Sequence, residues 1–224
     1  MATIYREGSK GEGVKVIQRA LHLMDDGVYG MLTKEAVTAF QRENGLTPDG
    51  IVGPATMAKL LPAASKILLP LKKSRRIITD IVIHCTASPI DRDYTAADIR
   101  RMHVRDRGWA DIGYHYVVRL DGTIESGRDI DIIGAHVSGH NAHSIGIVYV
   151  GGIGRDGKAR DTRTENQKNA LLNLLLMLRK IYPKAHISGH RDFSPDKNGN
   201  GIVEPSEWIK ECPCFNAGYE YRHV

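Results

Sequence analysis

RIITDIVIHCTASP, residues 76–89, decides how the larger part of this chain is read. From Arg76 to His84 it is dense in isoleucine, valine and threonine, side chains that fit a pleated and buried strand. The stretch is therefore expected to be a buried strand with His84 at its end. A histidine there is brought close to residues remote in sequence, because the ends of neighbouring strands meet.

Outward from that strand, helical and strand patterns are interspersed. Thr95 to Arg107 reads as an amphipathic helix, with Ile99, Met102 and His103 on one side. Ile112 to Leu120 and Thr123 to Ser126 read as a hairpin across Asp121-Gly122. Ser144 to Val150 is a further strand. Thr164 to Tyr182 is a long helix, opened by the capping pair Thr164 and Gln167 and lined by Leu171, Leu174, Leu175 and Leu178. Ala185 to Ser188 is a short strand. The expected fold class is α/β, a mixed central sheet flanked by helices.

Upstream, PAASKILLPLKKSRR (62–76) has the proline, small-residue and basic composition of a linker. It divides the chain into an N-terminal part (1–62), a basic linker (63–76) and a C-terminal part (77–224). The first part reads as three helices: one begun by GVKVIQRAL with apolar positions 14, 17, 20, 21 and 24, one from Thr33 to Asn44 with Thr33 as N-cap, and one from Pro54 to Leu61. DGVYG (26–30) and DGIVG (49–53) are near copies, each with a threonine three residues beyond its last glycine, so the small unit contains an internal repeat.

The 224 residues are 42% hydrophobic and 25% charged, the composition of a globular chain. No apolar run approaches the roughly 20 residues that span a bilayer. MATIYREGSKGEG lacks the apolar stretch of a signal peptide, so synthesis in the cytoplasm and no membrane insertion are expected. The net charge of +5 comes entirely from residues 63–76, since the segments on either side are balanced. With no interleaving of aromatic and basic residues, nucleic acid is not an expected partner.

Nine of the ten histidines lie beyond residue 62. His84, His115, His136, His140, His143, His190, Cys212 and Cys214 are candidate metal donors, and no compact motif such as HExxH selects among them. Asp196-x-Asn198-x-Asn200-Gly201-x5-Glu207 fits a calcium loop, with Asp196, Asn198, Asn200, the Ile202 carbonyl, Glu204 and Glu207 as ligands. Pro205 is unusual in such a loop, and a polar turn leading into a short helix is the alternative.

Two family resemblances sharpen these expectations. GSKGEGVKVIQRAL, DGVYG, TKEAVTAFQRENGL and DGIVGPATMAKL resemble the peptidoglycan-binding domain of cell-wall hydrolases. IVIHCTASP, GWADIGYHYVVRLDGTIESGR, GAHVSGHNAHSIGIVYVGG and ISGHRDFSP…KECPCF resemble the type 2 N-acetylmuramoyl-L-alanine amidases, the group of phage lysozyme-type amidases related to peptidoglycan recognition proteins. The second resemblance implies Zn²⁺ held by His84, His190 and Cys212, a proton-transfer role for Tyr114, and oxyanion stabilisation by Lys210. His136 and Asn141 are expected to border the substrate groove or to serve as structural hydrogen-bonding residues. Cys214 is expected to be a buried thiol. Together these imply a monomeric enzyme acting on peptidoglycan, a phage or prophage endolysin that reaches the wall at lysis. A bacterial autolysin or antibacterial effector would share the chemistry. A non-catalytic wall-recognition protein is a different reading, and a Cys85-nucleophile amidase is a third, disfavoured because neighbours on a strand face opposite ways.

Overall fold

Val14 and Ile17 on one helix and Val37 and Phe40 on the next recur at helical spacing, and burying them against one another draws the N-terminal helices together. In the computed structural model, which describes residues 4–21, 23–60, 71–222 and 224, the chain divides into two compact units, Met1–Ala64 and Ser65–Val224. The first contains α1 (Glu12–Ala20), α2 (Met31–Glu43) and α3 (Pro54–Leu60). Its core is Val14, Ile17, Tyr29, Val37, Val52 and Leu60. Met24, expected on the buried face, follows the helix end and is 85% exposed.

The internal repeat has a hydrogen-bonding cause. The Gln18 side-chain amide donates to Asp26 Oδ1, the Val28 carbonyl and Thr33 Oγ1, while its oxygen accepts from the Gly27 amide. Gln41 repeats every one of these contacts with Asp49, Ile51, Thr56 and Gly50. Gly27 and Gly50 have φ of 74° and 68°, which glycine adopts without steric cost. Thr33 is therefore not an N-cap. Gly30 holds that place, and Thr33 lies inside α2 as a partner of Gln18.

The second unit is built on a five-stranded sheet. Its elements in chain order are β1 (Asp80–Cys85), β2 (Ser88–Pro89), α4 (Ala96–Arg107), β3 (Tyr116–Val118), β4 (Ile124–Ser126), β5 (Ser144–Tyr149), β6 (Gly152–Ile153), α5 (Glu165–Ile181), β7 (His186–Gly189) and α6 (Ala217–Glu220). The large sheet runs β4-β3-β5-β1-β7, with β3, β5, β1 and β7 parallel and β4 antiparallel to β3. β2 and β6 form a separate parallel pair. Such a mixed sheet flanked by helices is the expected class.

The central strands β1 and β5 are buried along almost their whole length, which explains their near-continuous apolar sequence. Leu171, Leu174, Leu175 and Leu178 of α5 are fully buried, each contributing about 1.5–3 kcal/mol of burial free energy. Both long helices begin with capping boxes, Thr95 with Asp98 and Thr164 with Gln167.

Of the stretch expected as linker, residues 63–70 lie outside the described residues, as does Leu61 of the third expected helix. Residues 71–76 are held by the second unit. Lys72 pairs with Asp129 and Asp131, the Ser74 amide donates to the Tyr182 hydroxyl, and Arg76 donates to the Ile130, Asn141 and Ser144 carbonyls.

Candidate metal centre

Parallel pairing of β1 with both β5 and β7 carries His84, near the end of β1, toward His190, which directly follows β7. The Nδ1 atoms of His84 and His190 are 3.1 Å apart. Cys212 arrives from the C-terminal segment, its Sγ 3.8 Å from His84 Nδ1 and 3.2 Å from the Cys85 amide, which donates to it. That segment is fixed by the Arg191 amide donating to the Cys212 carbonyl and by the Tyr149 hydroxyl donating to the Pro213 carbonyl.

One ligand atom from each of His84, His190 and Cys212 lies within 4.8 Å of the others. Tetrahedral zinc with nitrogen and sulfur ligands would separate two nitrogens by about 3.3 Å, and a nitrogen from a sulfur by about 3.6 Å. The spacing and donor types therefore fit a metal ion with little rearrangement. Burial, reinforced by the charges of His136, His190 and Lys210, pushes the His84 pKa well below its ordinary value. Burial and the Lys210 charge lower His190 to about 4. Both imidazoles are thus neutral near pH 7 and offer lone pairs.

Tyr114 stands against His84 with ring centroids 5.1 Å apart. Burial, with the nearby Cys212 and Cys85, raises the phenol pKa, so the hydroxyl keeps its proton at neutral pH. Behind Tyr114 lies His103, which was not singled out from the sequence as a site residue. Its ring is 5.6 Å from that of Tyr114, and its Nδ1 accepts from the Gly113 amide at 3.0 Å. Lys210 is exposed, and its charge helps to lower the pKa of both His84 and His190.

His136 and Asn141 are both held by hydrogen bonds within the fold. His136 is 8% exposed and lies behind His84, its Nδ1 3.1 Å from His84 Nε2. The Asn141 side chain accepts from the His136 and Val137 amides and so shapes the turn that carries His136. Of the other histidines, His115 is buried and held by the Ile132 carbonyl and the Gly146 amide, whereas His140 and His143 are exposed. Cys85 is buried, and its thiol is pushed up to about 12, chiefly by its contact with Cys212. That is the opposite of what a nucleophilic thiol needs. Cys214 is half-buried with its Sγ 3.7 Å from Cys85 Sγ, outside the His-His-Cys group.

In the loop 196–207 the expected calcium ligands are hydrogen-bonded within the loop. Asp196 accepts from the Gly199 and Gly201 amides, Asn198 from Asn200, and Asn200 from Ile202. Glu207, 4% exposed, accepts from the amides of Lys197, Asn198 and Glu204. Pro205 begins a short turn of 3-10 helix, Pro205–Glu207.

The N-acetylmuramoyl-L-alanine amidase family model matches residues 74–205, and that of a putative peptidoglycan binding domain matches 10–60. The endolysin of Enterobacteria phage K11 is 38% identical over 142 residues, covering 63% of this chain and 84% of that protein. The endolysin of Escherichia phage T7 is 34% identical over 144 residues, covering 64% and 85%. Among solved structures, the Ph2119 endolysin from a Thermus scotoductus MAT2119 bacteriophage aligns with a TM-score of 0.50 at 29% identity, over 66% of this chain and 85% of that one. Cys212 lies beyond the span of the family model, and its distances to His84 and the Cys85 amide bring it to the site. The match extends over more than half of the sequence: this chain belongs to the N-acetylmuramoyl-L-alanine amidase family.

Proposed function

We propose that this chain is a zinc-dependent endolysin that hydrolyses the amide between the lactyl carbonyl of N-acetylmuramic acid and the amino group of L-alanine in peptidoglycan. The observation that carries the proposal is the convergence of His84 Nδ1, His190 Nδ1 and Cys212 Sγ on one point. Two neutral imidazoles and one thiolate would hold Zn²⁺, which there supplies Lewis acidity toward the scissile carbonyl and activates water. The protonated Tyr114 hydroxyl orients the attacking water and delivers a proton toward the leaving amine. The Lys210 ammonium stabilises the developing oxyanion. Residues 1–62 serve as the wall-binding unit, joined by 63–76 to the amidase unit 77–224, and the enzyme acts on the bacterial wall.

A wall-recognition protein without activity is disfavoured by the intact donor set, since loss of the thiolate would disable the centre. His84→Ala and Cys212→Ala are expected to lose bound zinc, measured by atomic absorption, together with lysis of wall suspensions. Full lysis by a zinc-free variant would refute the proposal. Tyr114→Phe and Lys210→Ala are expected to keep zinc while turnover falls, by about 10²-fold for either. Unchanged turnover in Lys210→Ala would remove the lysine from the mechanism and leave the metal centre standing.

A further inference from the structure

Every proton in the hydrogen-bond chain behind His84 is assigned by its far end. The His140 carbonyl only accepts, so the Ser144 hydroxyl, 2.8 Å away, donates its single proton there. Ser144 Oγ is also 3.4 Å from His136 Nε2, and with its proton already committed it can only accept from that nitrogen. Neutral imidazole carries one N–H, so His136 Nδ1 is left as a lone pair. His84 Nε2, 3.1 Å from that lone pair, must then be the donor. His84 Nδ1 is left bare, and it faces His190 Nδ1 and Cys212 Sγ.

The packing independently holds His136 in this place. A Cβ on Gly134 would lie 2.5 Å from His136 Cδ2, and one on Gly146 would lie 2.6 Å from the same atom. Gly146 belongs to β5, opposite Val82 of the strand that carries His84. Thus the sheet itself makes room for the ring, and any side chain at 134 or 146 would displace it. Ser144 is fully buried, and Asn141 fixes the backbone at His136 by accepting its amide proton at 2.8 Å.

We propose that His136 is a positioning residue for the metal centre: with Ser144 and the His140 carbonyl behind it, it fixes the tautomer and ring orientation of His84 so that Nδ1 is the metal-facing atom. The inference rests on the zinc reading above and assigns His136 no contact with substrate. Partners placed behind ligating histidines typically alter metal affinity by ~10–100-fold.

The test uses the full chain, with zinc affinity measured by competition against a chromophoric chelator. His136→Ala is expected to weaken zinc binding by ~10–100-fold. His136→Asn, which puts an amide oxygen where Nδ1 stood, is expected to stay within a few-fold of the parent. Two-bond ¹⁵N–¹H spectra of the zinc-free parent are expected to show His84 protonated on Nε2, a signature that a purely structural role would not set. The spectra of the parent decide the matter even if a variant fails to fold. His84 protonated on Nδ1, parental zinc affinity in His136→Ala, or an Asn variant no better than the Ala variant would each overturn the proposal. A parent that binds no zinc would instead overturn the proposed function, so the two failures are distinguishable.

Discussion

His103 and His115 each accept a backbone amide hydrogen at Nδ1, from Gly113 and Gly146 respectively, both at 3.0 Å. Burial is the largest cause that lowers each of them to about 4. Protonation at Nδ1 would abolish both amide contacts. The unfolded chain takes up protons at these residues below about 6.5, whereas the folded chain resists until about 4. Stability from these groups is therefore intact above pH 6.5 and declines as pH falls through that window. Melting of the zinc-free protein should show a falling Tm from pH 7 to 4.5, and a flat profile would contradict the assignment. At this scale the sequence marks His84 and His190 by their strand ends, but not His136. Its partner is 52 residues away, and the two glycines that seat it become informative only once β5 lies beside β1.

Among the elements, the DG repeat is visible in sequence, but its cause is not. The organising residues are Gln18 and Gln41, which precede their turns by a helix end and resemble ordinary surface glutamines. Each is almost fully buried and makes four hydrogen bonds, so truncation strands several polar groups. Gln41→Ala should destabilise the N-terminal unit by about 1–3 kcal/mol, read by chemical denaturation; no change in the midpoint would show that water replaces the amide. Residues 71–76 read as a solvated basic run for a similar reason, because the Asp129, Asp131 and Tyr182 that hold them are over fifty residues distant. The loop 196–207 matches a calcium pattern, and its own amides donate to the carboxylates of Asp196 and Glu207 and close the turn. Added calcium is expected to leave the Tm unchanged, and a clear rise would restore the ion-binding reading.

For the molecule as a whole, the strand order β4-β3-β5-β1-β7 unites residues 84 and 190, and the C-terminal segment folded back on it adds residue 212. Periodicity located most of these elements, but it carries no information on which strands become neighbours. That pairing, and with it the choice of three donors among eight candidates, came in sequence only through resemblance to a family. In the structure it follows from distances. The central claim is that this centre cleaves the muramoyl–alanine amide with zinc. Purified peptidoglycan incubated with the full chain, with and without a chelator, and analysed by mass spectrometry tests it most directly. The account predicts free muramic lactyl groups and free L-alanine amines, lost with the chelator and restored by zinc; cleaved glycan strands, or amide cleavage indifferent to the chelator, would contradict it.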